Sequence, residues 1–231
     1  MEILPMQTAQ TQVEVSNFIR KVYNWMAIGL GLTGIVALYV ANSQRLIQFI
    51  LWNPLIFFGL VIGEVALVFY LSARVERMHP ATATGLFILY AVLNGATLSF
   101  IFHAYTGTSI AQAFFISAAT FVSCSIYGIT TKRDLTSLGG FMAMGLIGII
   151  IASVVNIFVR SSAMSIVVSY IGVLVFVGLT AYDTQRLKAI ALSQSEGVVA
   201  RKGSILGALA LYLDFINLFL MLLRIVSWSR D

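Results

Sequence analysis

The chain has 231 residues, of which 59% are hydrophobic and only 10% are charged. A soluble domain carries roughly 25% charged residues, so this composition excludes a soluble globular protein and, being so apolar, a disordered one as well. The single cysteine excludes a disulfide-stapled module. The net charge of +5 comes from basic residues that occur singly or in pairs, a pattern that does not indicate nucleic-acid binding.

A polar segment, Met1–Arg20, opens the chain and contains no apolar core, so we predict no cleavable signal peptide there. We expect this segment to be a cytoplasmic tail and residues 21–231 to form a single membrane domain. Seven apolar stretches follow, each near the roughly 20 residues that a helix needs to cross a bilayer. The predicted spans are Val22–Val40, Trp52–Leu71, Ala81–Phe102, Ile110–Ile129, Leu138–Val159, Met164–Tyr182 and Ile205–Ile225. The predicted fold class is therefore an all-α membrane protein with seven transmembrane helices.

The positive charges predict the orientation of these spans. The tail and the loops after spans two, four and six hold ten Lys and Arg residues, whereas the opposite side holds four. Because Lys and Arg are enriched in cytoplasmic loops, we expect the amino terminus inside the cell and the carboxyl terminus outside.

Small residues predict where helices pack closely. Gly59 and Gly63 are four residues apart in span two, and Gly29, Gly31 and Gly34 crowd span one. Glycines at this spacing let helix backbones approach each other, so we expect close helix contacts at both places.

Three acidic residues, Glu64, Asp183 and Asp214, lie inside apolar spans or at their ends. A carboxylate near the bilayer centre costs roughly 2.5–3.5 kcal/mol on insertion scales, and such a residue usually belongs to an ion or proton path. Helical steps of three and four residues place Asp214 on one polar face with Asn217 and Arg224. Spans six and seven are consecutive and antiparallel, so we expect Asp183 and Asp214 to meet.

Two carboxyl groups in contact cannot both be ionised at low cost, so one of them is expected to hold a proton. Such a pair would respond to pH, and its oxygens suit a hard cation such as calcium, which makes Asp183 and Asp214 candidate calcium ligands. The alternative is structural: Asp183 would be a helix-end residue, and Asp214 an ion-pair partner of Arg224 or Arg186.

Three ordered motifs resemble the transmembrane Bax-inhibitor-motif family, in particular its inner-membrane members from Gram-negative bacteria, and the resemblance covers essentially the whole chain. The first motif is Thr131-Lys132-Arg133-Asp134-Leu135, which follows span four, and the second is Ala181-Tyr182-Asp183-Thr184-Gln185, at the end of span six. The third is Tyr212-Leu213-Asp214-Phe215-Ile216-Asn217-Leu218-Phe219, which continues to Arg224.

This resemblance implies a fold in which the last helix is central and the other six wrap it. It also implies a pH-dependent calcium leak in which Asp183 and Asp214 form the proton-sharing pair and Glu64 is a further membrane-embedded acid on the ion path. The family has a basic gating residue near the end of span two. Counting from Glu64 places Val75 at that position, and Arg74 is the nearest basic residue.

Enzymatic function is not expected. Tyr182-Asp183 fits half of the pattern of an intramembrane aspartyl protease, but Asp214 lacks the preceding glycines that the other half requires. No phosphate-binding, zinc or dinucleotide motif is present, so no cofactor is predicted. The remaining alternative is a membrane protein that modulates proteolysis or cell survival by contact with a membrane protease or another membrane protein, with Met1–Arg20 as the contact segment.

Overall fold

The computed structural model describes the backbone of residues 3–193 and 198–229 and the side chains of residues 12–75, 77–192 and 200–229. These residues form helices joined by short connections, without a β-strand among them. The helices are α1 (Ile3–Ala41), α2 (Gln44–Ile50), α3 (Pro54–Arg74), α4 (Pro80–Leu98), α5 (Ile101–Ala104), α6 (Gly107–Thr130), α7 (Thr136–Val159), α8 (Ser162–Ser193) and α9 (Val198–Trp228), with a 3-10 turn at Val75–Arg77.

Seven helical stretches in the described part of the chain are long and apolar enough to cross a membrane. They are Gln12–Ala41, Pro54–Arg74, Pro80–Ala104, Gly107–Thr130, Thr136–Val159, Ser162–Leu192 and Ala200–Trp228. Each overlaps one predicted span, so the predicted all-α fold with seven membrane-spanning helices is confirmed.

Two helices, α1 and α8, extend more than ten residues beyond the predicted spans. Helix α1 begins at Ile3, so the segment predicted as a tail is helical from that residue on, while Met1 and Glu2 lie outside the described residues. Helix α8 continues to Ser193, eleven residues past the predicted end at Tyr182. The apolar pattern ends there, but Gln185, Arg186 and Lys188 are good helix formers, so the helix continues and Asp183 lies inside it.

Helix starts follow local sequence signals. The Asn53 side chain accepts hydrogen bonds from the backbone N–H groups of Leu55 and Ile56, and Pro54 occupies the first position of α3. The His79 side chain accepts a hydrogen bond from the Ala81 N–H in front of α4. A side-chain acceptor followed by proline is a usual helix start because the first N–H groups lack partners within the helix.

The residue contacts divide the protein into two compact units. The first unit contains α1 to α5 together with Lys188–Tyr212, which includes the first half of α9. In it, α1 and α3 both pack against α4. The ring of Tyr212 makes edge-to-face contacts with Phe87 and Tyr90 of α4, and all three rings are buried.

The second unit contains Tyr105–Leu187 and α9 from Leu213 onward. Helix α8 is closely packed within it, because glycines of α6 and α7 bring their backbones against it. A Cβ atom at Gly128 would collide with the Ala181 carbonyl oxygen, and one at Gly139 would collide with the Tyr182 ring. These glycines therefore hold the middle of α8 in a fixed position.

The glycine prediction is correct at one position and wrong at several. A Cβ atom at Gly29 would lie 2.6 Å from the Phe87 ring, so this glycine does permit close packing. At Gly31, Gly34, Gly59 and Gly63 no described atom outside the adjoining part of the same helix lies within 4 Å of such a Cβ. The spacing shows that these glycines share a helix face, but it does not show whether another helix lies against that face.

Burial differs widely among the spans. In the last span, 61% of the most apolar 18-residue stretch is buried in the protein. The corresponding share is 6% in Thr136–Val159 and 11% in Pro54–Arg74. The last span is thus the most buried of the seven, while the wrapping of this helix by the other six stays a prediction.

Candidate functional site

The second of the three sequence motifs, Ala181–Gln185, is held on α8 by contacts on several sides. Its Ala181 and Tyr182 lie against Gly128 and Gly139, as described above. The Gln185 side chain accepts a hydrogen bond from the Leu135 N–H at 2.8 Å and donates one to the Arg133 carbonyl oxygen at 2.8 Å. The motif after span four and the motif on α8 therefore contact each other, and Asp183 lies between these anchored residues.

Asp134 stabilises the same connection. Its carboxylate accepts hydrogen bonds from the Thr136 hydroxyl at 2.6 Å and from the Thr136 N–H at 2.9 Å, immediately before α7. These bonds favour the ionised form and hold the pKa of this exposed carboxyl below its usual value. Asp134 thus acts on the start of α7 and not on the aspartate pair.

Asp214 is positioned by its neighbour on α9. Phe215 is buried and packs edge-to-face against Phe114 and Phe121 of α6, with ring centroids 5.8 and 5.6 Å apart. These contacts fix the rotation of α9 and leave Asp214 itself buried, with 5% of its surface exposed.

The carboxyl groups of Asp183 and Asp214 lie close enough to interact, and they can share a hydrogen bond when one of them is protonated. A hydrogen bond between two carboxyl groups requires that one of them carry a proton, because an ionised carboxylate only accepts. Oδ2 of Asp214 is buried and receives no hydrogen bond from an N–H or hydroxyl group of the described residues. A proton shared with Asp183 would supply the donor that this oxygen lacks.

Arg186 is the cation that acts on this pair. It follows Asp183 by three residues on α8, so the two share one helix face, and its charge attracts the Asp183 carboxylate. The Arg186 side chain is itself exposed. The predicted meeting of Asp183 and Asp214 is thus present in the structure. Arg186 acts on Asp183, and not on Asp214 as the structural alternative proposed.

The pair alone does not make a closed calcium site. Calcium takes six to eight oxygen ligands, and in the described ranges no third His, Cys, Asp or Glu joins a cluster that could hold a metal ion. With a proton between them, the two carboxyl groups carry at most one negative charge. These oxygens fit brief contact with a passing cation better than permanent binding.

Asn217 and Arg224, the other candidates on α9, contact other groups. Asn217 donates a hydrogen bond to the Leu213 carbonyl oxygen of its own helix at 2.8 Å. Arg224 donates to the Ser169 hydroxyl of α8 at 3.4 Å, and its Cα lies ten residues, or roughly 15 Å, from that of Asp214 along α9. The pairing of Asp214 with Arg224 that the sequence left open is therefore not formed.

Glu64 lies in the first unit, within a buried polar network. Its Oε2 accepts a hydrogen bond from the Asn94 amide at 3.1 Å, and its Oε1 accepts one from the Thr97 hydroxyl at 2.8 Å. The Tyr212 hydroxyl donates to Asn94 Oδ1 at 3.1 Å and lies 2.6 Å from the Thr33 hydroxyl oxygen. Both oxygens of Glu64 are thus bound by neutral donors. Arg74, the predicted gating residue, is exposed at the end of α3.

Sequence reasoning missed the residues that support these acids. Gln185 belongs to the motif on span six, but the sequence indicated no role for its side chain. Asn94 and Thr97 were not identified as partners of Glu64. A usable signal for Asn94 and Thr97 was their spacing of three residues within an apolar span, because polar side chains in a membrane helix need partners. No signal in the sequence pairs Gln185 with the connection before α7, since 50 residues separate it from Leu135.

Comparison with known proteins finds relatives along the whole chain. The family model described as inhibitor of apoptosis-promoting Bax1 matches residues 15–231. The inner membrane protein YbhL of Escherichia coli K12 is 49% identical over 223 residues, which cover 96% of this chain and 95% of YbhL. A Deinococcus radiodurans protein is 44% identical over 231 residues, covering 100% of this chain and 98% of that one. The Rickettsia prowazekii protein RP147 is 44% identical over 216 residues, covering 93% and 90%.

Proposed function

Because the chain belongs to the membrane protein family of the inhibitor of apoptosis-promoting Bax1, we propose that it is a pH-sensitive leak channel for cations, calcium in particular. The channel would lie in a bacterial inner membrane, as the name of the Escherichia coli relative states for that protein. The amino terminus would face the cytoplasm and the carboxyl terminus the periplasm. The protein would not be an enzyme, and calcium would be the ion carried and not a resident cofactor.

The contact between the Asp183 and Asp214 carboxyl groups carries this proposal. It joins α8 to α9 through a proton, so its strength depends on the protonation state of the two carboxyl groups. Removal of the shared proton leaves two negative charges in contact, which repel each other strongly in a medium of low dielectric constant. Addition of a second proton leaves no negative charge to attract a cation.

The burial of the pair makes this switch effective. A charged carboxylate within a membrane span is costly unless protein groups or water stabilise it, and here Asp214 has an oxygen without an N–H or hydroxyl donor among the described residues. Removal of the shared proton therefore favours a rearrangement that brings water or a cation to the pair. A pH-dependent conductance follows from such a rearrangement.

Calcium flux in liposomes tests the proposal. The purified protein is reconstituted into vesicles that contain a calcium-sensitive dye, and influx is measured at several external pH values from acid to mildly alkaline. We expect the wild-type flux to change with pH and the Asp183→Asn and Asp214→Asn variants to lose that change, because an amide cannot exchange the proton. Glu14→Gln is the matched control, since Glu14 is exposed on α1 and its loss leaves the pair intact.

The outcomes are distinct. Wild-type vesicles that pass no more calcium than empty ones at any pH would refute the channel. A wild-type pH dependence that both Asn variants retain would refute the role of the pair while leaving the channel. Loss of the dependence in Glu14→Gln as well would show that the assay responds to a general change in charge.

A further inference from the structure

A cavity of about 300 Å³ lies in the second unit, where the end of α7, the start of α8 and the end of α9 meet. Its volume is at the lower end of the range of small-molecule sites, about 300–1,000 Å³. The lining side chains are mainly polar, and one of them is a cation. They are Ser153, Asn156, Ile157, Ser165, Val168 and Arg224.

Among the described residues, no negative charge of the lining compensates the charge of the cavity. Arg224 is the charged residue of the lining, and no carboxylate of the described residues takes part in it. The guanidinium carries five N–H donors, and its contact with Ser169 is long, at 3.4 Å. Arg224 is half-buried in the last span and has N–H donors that the Ser169 contact does not use. Such a guanidinium favours an anionic ligand, because its fork of N–H groups fits a phosphate or carboxylate.

A hydroxyl group adds to this donor set. Ser165 accepts a hydrogen bond from the Asn156 amide at 2.7 Å, so its own O–H can point into the cavity. Asn156 is fixed at its other end, because its Oδ1 accepts a hydrogen bond from the Ser161 N–H at 3.0 Å. The wall of the cavity is thus held in place by bonds that do not use Arg224.

The surroundings of the cavity indicate a lipid and not a free ion. Ile157 of the lining has 66% of its surface exposed, and its neighbour Phe158 has 81% exposed, on the span with the smallest buried share of the seven. Such an apolar surface on a membrane protein faces acyl chains. Trp228 is 52% exposed and only four residues past Arg224, and tryptophan is enriched at headgroup level.

We propose that this cavity binds the phosphate of an anionic phospholipid such as phosphatidylglycerol. Arg224 holds the phosphate oxygens, the Ser165 hydroxyl donates a further hydrogen bond, and the acyl chains lie along the exposed face of α7. The lining of this site does not include Asp183 or Asp214. The lipid-binding proposal therefore does not depend on the proposed channel function.

Lipid binding can be measured by native mass spectrometry on the full-length protein in detergent, titrated with phosphatidylglycerol, phosphatidylcholine or inorganic phosphate. We expect phosphatidylglycerol adducts to form at the lowest concentration, and their apparent affinity to fall roughly ten-fold or more in Arg224→Gln, the effect of losing one charge-assisted contact. Arg160→Gln is the matched control, because Arg160 is exposed just after α7. Arg224→Lys, which keeps the charge but loses the fork, should bind with intermediate affinity.

Equal affinity of wild type and Arg224→Gln for phosphatidylglycerol would overturn the proposal, as would equal affinity of the wild type for phosphatidylcholine. Inorganic phosphate that fully displaces the lipid at comparable concentration would show a site for the free anion and would overturn the assignment to a lipid. Should Arg224→Gln fail to fold, Ser165→Ala supplies the second test, with weaker phosphatidylglycerol binding expected and an unchanged affinity contradicting the site.

Discussion

A single hydroxyl group, that of Tyr212, links three polar side chains in the first unit. It lies 2.6 Å from the Thr33 hydroxyl oxygen and donates to Asn94, whose amide in turn donates to Glu64. Tyr212 is fully buried, so no water replaces a lost bond. The polar groups around Glu64 consequently depend on a residue two positions before Asp214.

We expect Tyr212→Phe to destabilise the protein by about 1–2 kcal/mol, because it removes this hydroxyl and leaves the Asn94 oxygen without its donor. Reversible unfolding in mixed micelles with increasing SDS measures the change. Tyr170→Phe is the control, since 57% of Tyr170 is exposed and the same atom is removed. Equal stability of Tyr212→Phe and Tyr170→Phe would mean that the network contributes no net stability.

The acids of the site were predictable at this scale, and their supporting partners were not. A carboxylate in an apolar run is conspicuous, so Glu64, Asp183 and Asp214 were each identified from the sequence. The length and helical spacing of spans six and seven also predicted that Asp183 and Asp214 would meet. The contacts of Gln185 depend on where a connection folds back onto α8, which no local pattern specifies.

Gly29 of α1 illustrates packing at the scale of a helix. A Cβ atom there would lie 2.6 Å from the Phe87 ring and 3.2 Å from the Tyr212 ring. Both rings are fully buried and in contact with each other, so neither has room to move. A single methyl group would push two helices away from α1.

We expect Gly29→Ala to lower the stability by about 1–3 kcal/mol through overpacking, which outweighs the roughly 0.5–1 kcal/mol gained from the higher helix propensity of alanine. Gly31→Ala is the matched control two residues away, where no described atom outside the adjoining part of α1 lies within 4 Å of the added carbon, and it should be neutral or slightly stabilising. Thermal unfolding of both variants in the same detergent gives the comparison, and a Gly29→Ala variant as stable as Gly31→Ala would contradict the close contact.

Helix ends were less predictable than helix positions. Apolar length located all seven spans because the bilayer imposes it, but it could not show that α8 continues to Ser193. Beyond Tyr182 the sequence changes from apolar to polar without a proline or glycine to stop the helix. Helix propensity and packing decide such an end, and hydropathy does not report either.

At the scale of the whole molecule, seven crossings require that the two termini lie on opposite sides of the membrane. We expect a reporter fused to the carboxyl terminus to be active in the periplasm, because the basic residues favour a cytoplasmic amino terminus. The same reporter fused after Ser193, between the last two spans, should read as cytoplasmic. Two fusions with the same reading would mean that α9 does not cross the bilayer.

Helix α1 has a further consequence for any molecule that meets the protein in water. Its 39 residues measure about 58 Å at 1.5 Å per residue, almost twice the roughly 30 Å of the hydrocarbon layer. Phe18, Val22 and Met26 of the same helix are buried in the protein. A molecule bound to the first turns of α1 would therefore be attached to one continuous helix. If binding tilted that helix outside the bilayer, the buried residues Phe18, Val22 and Met26 would move with it.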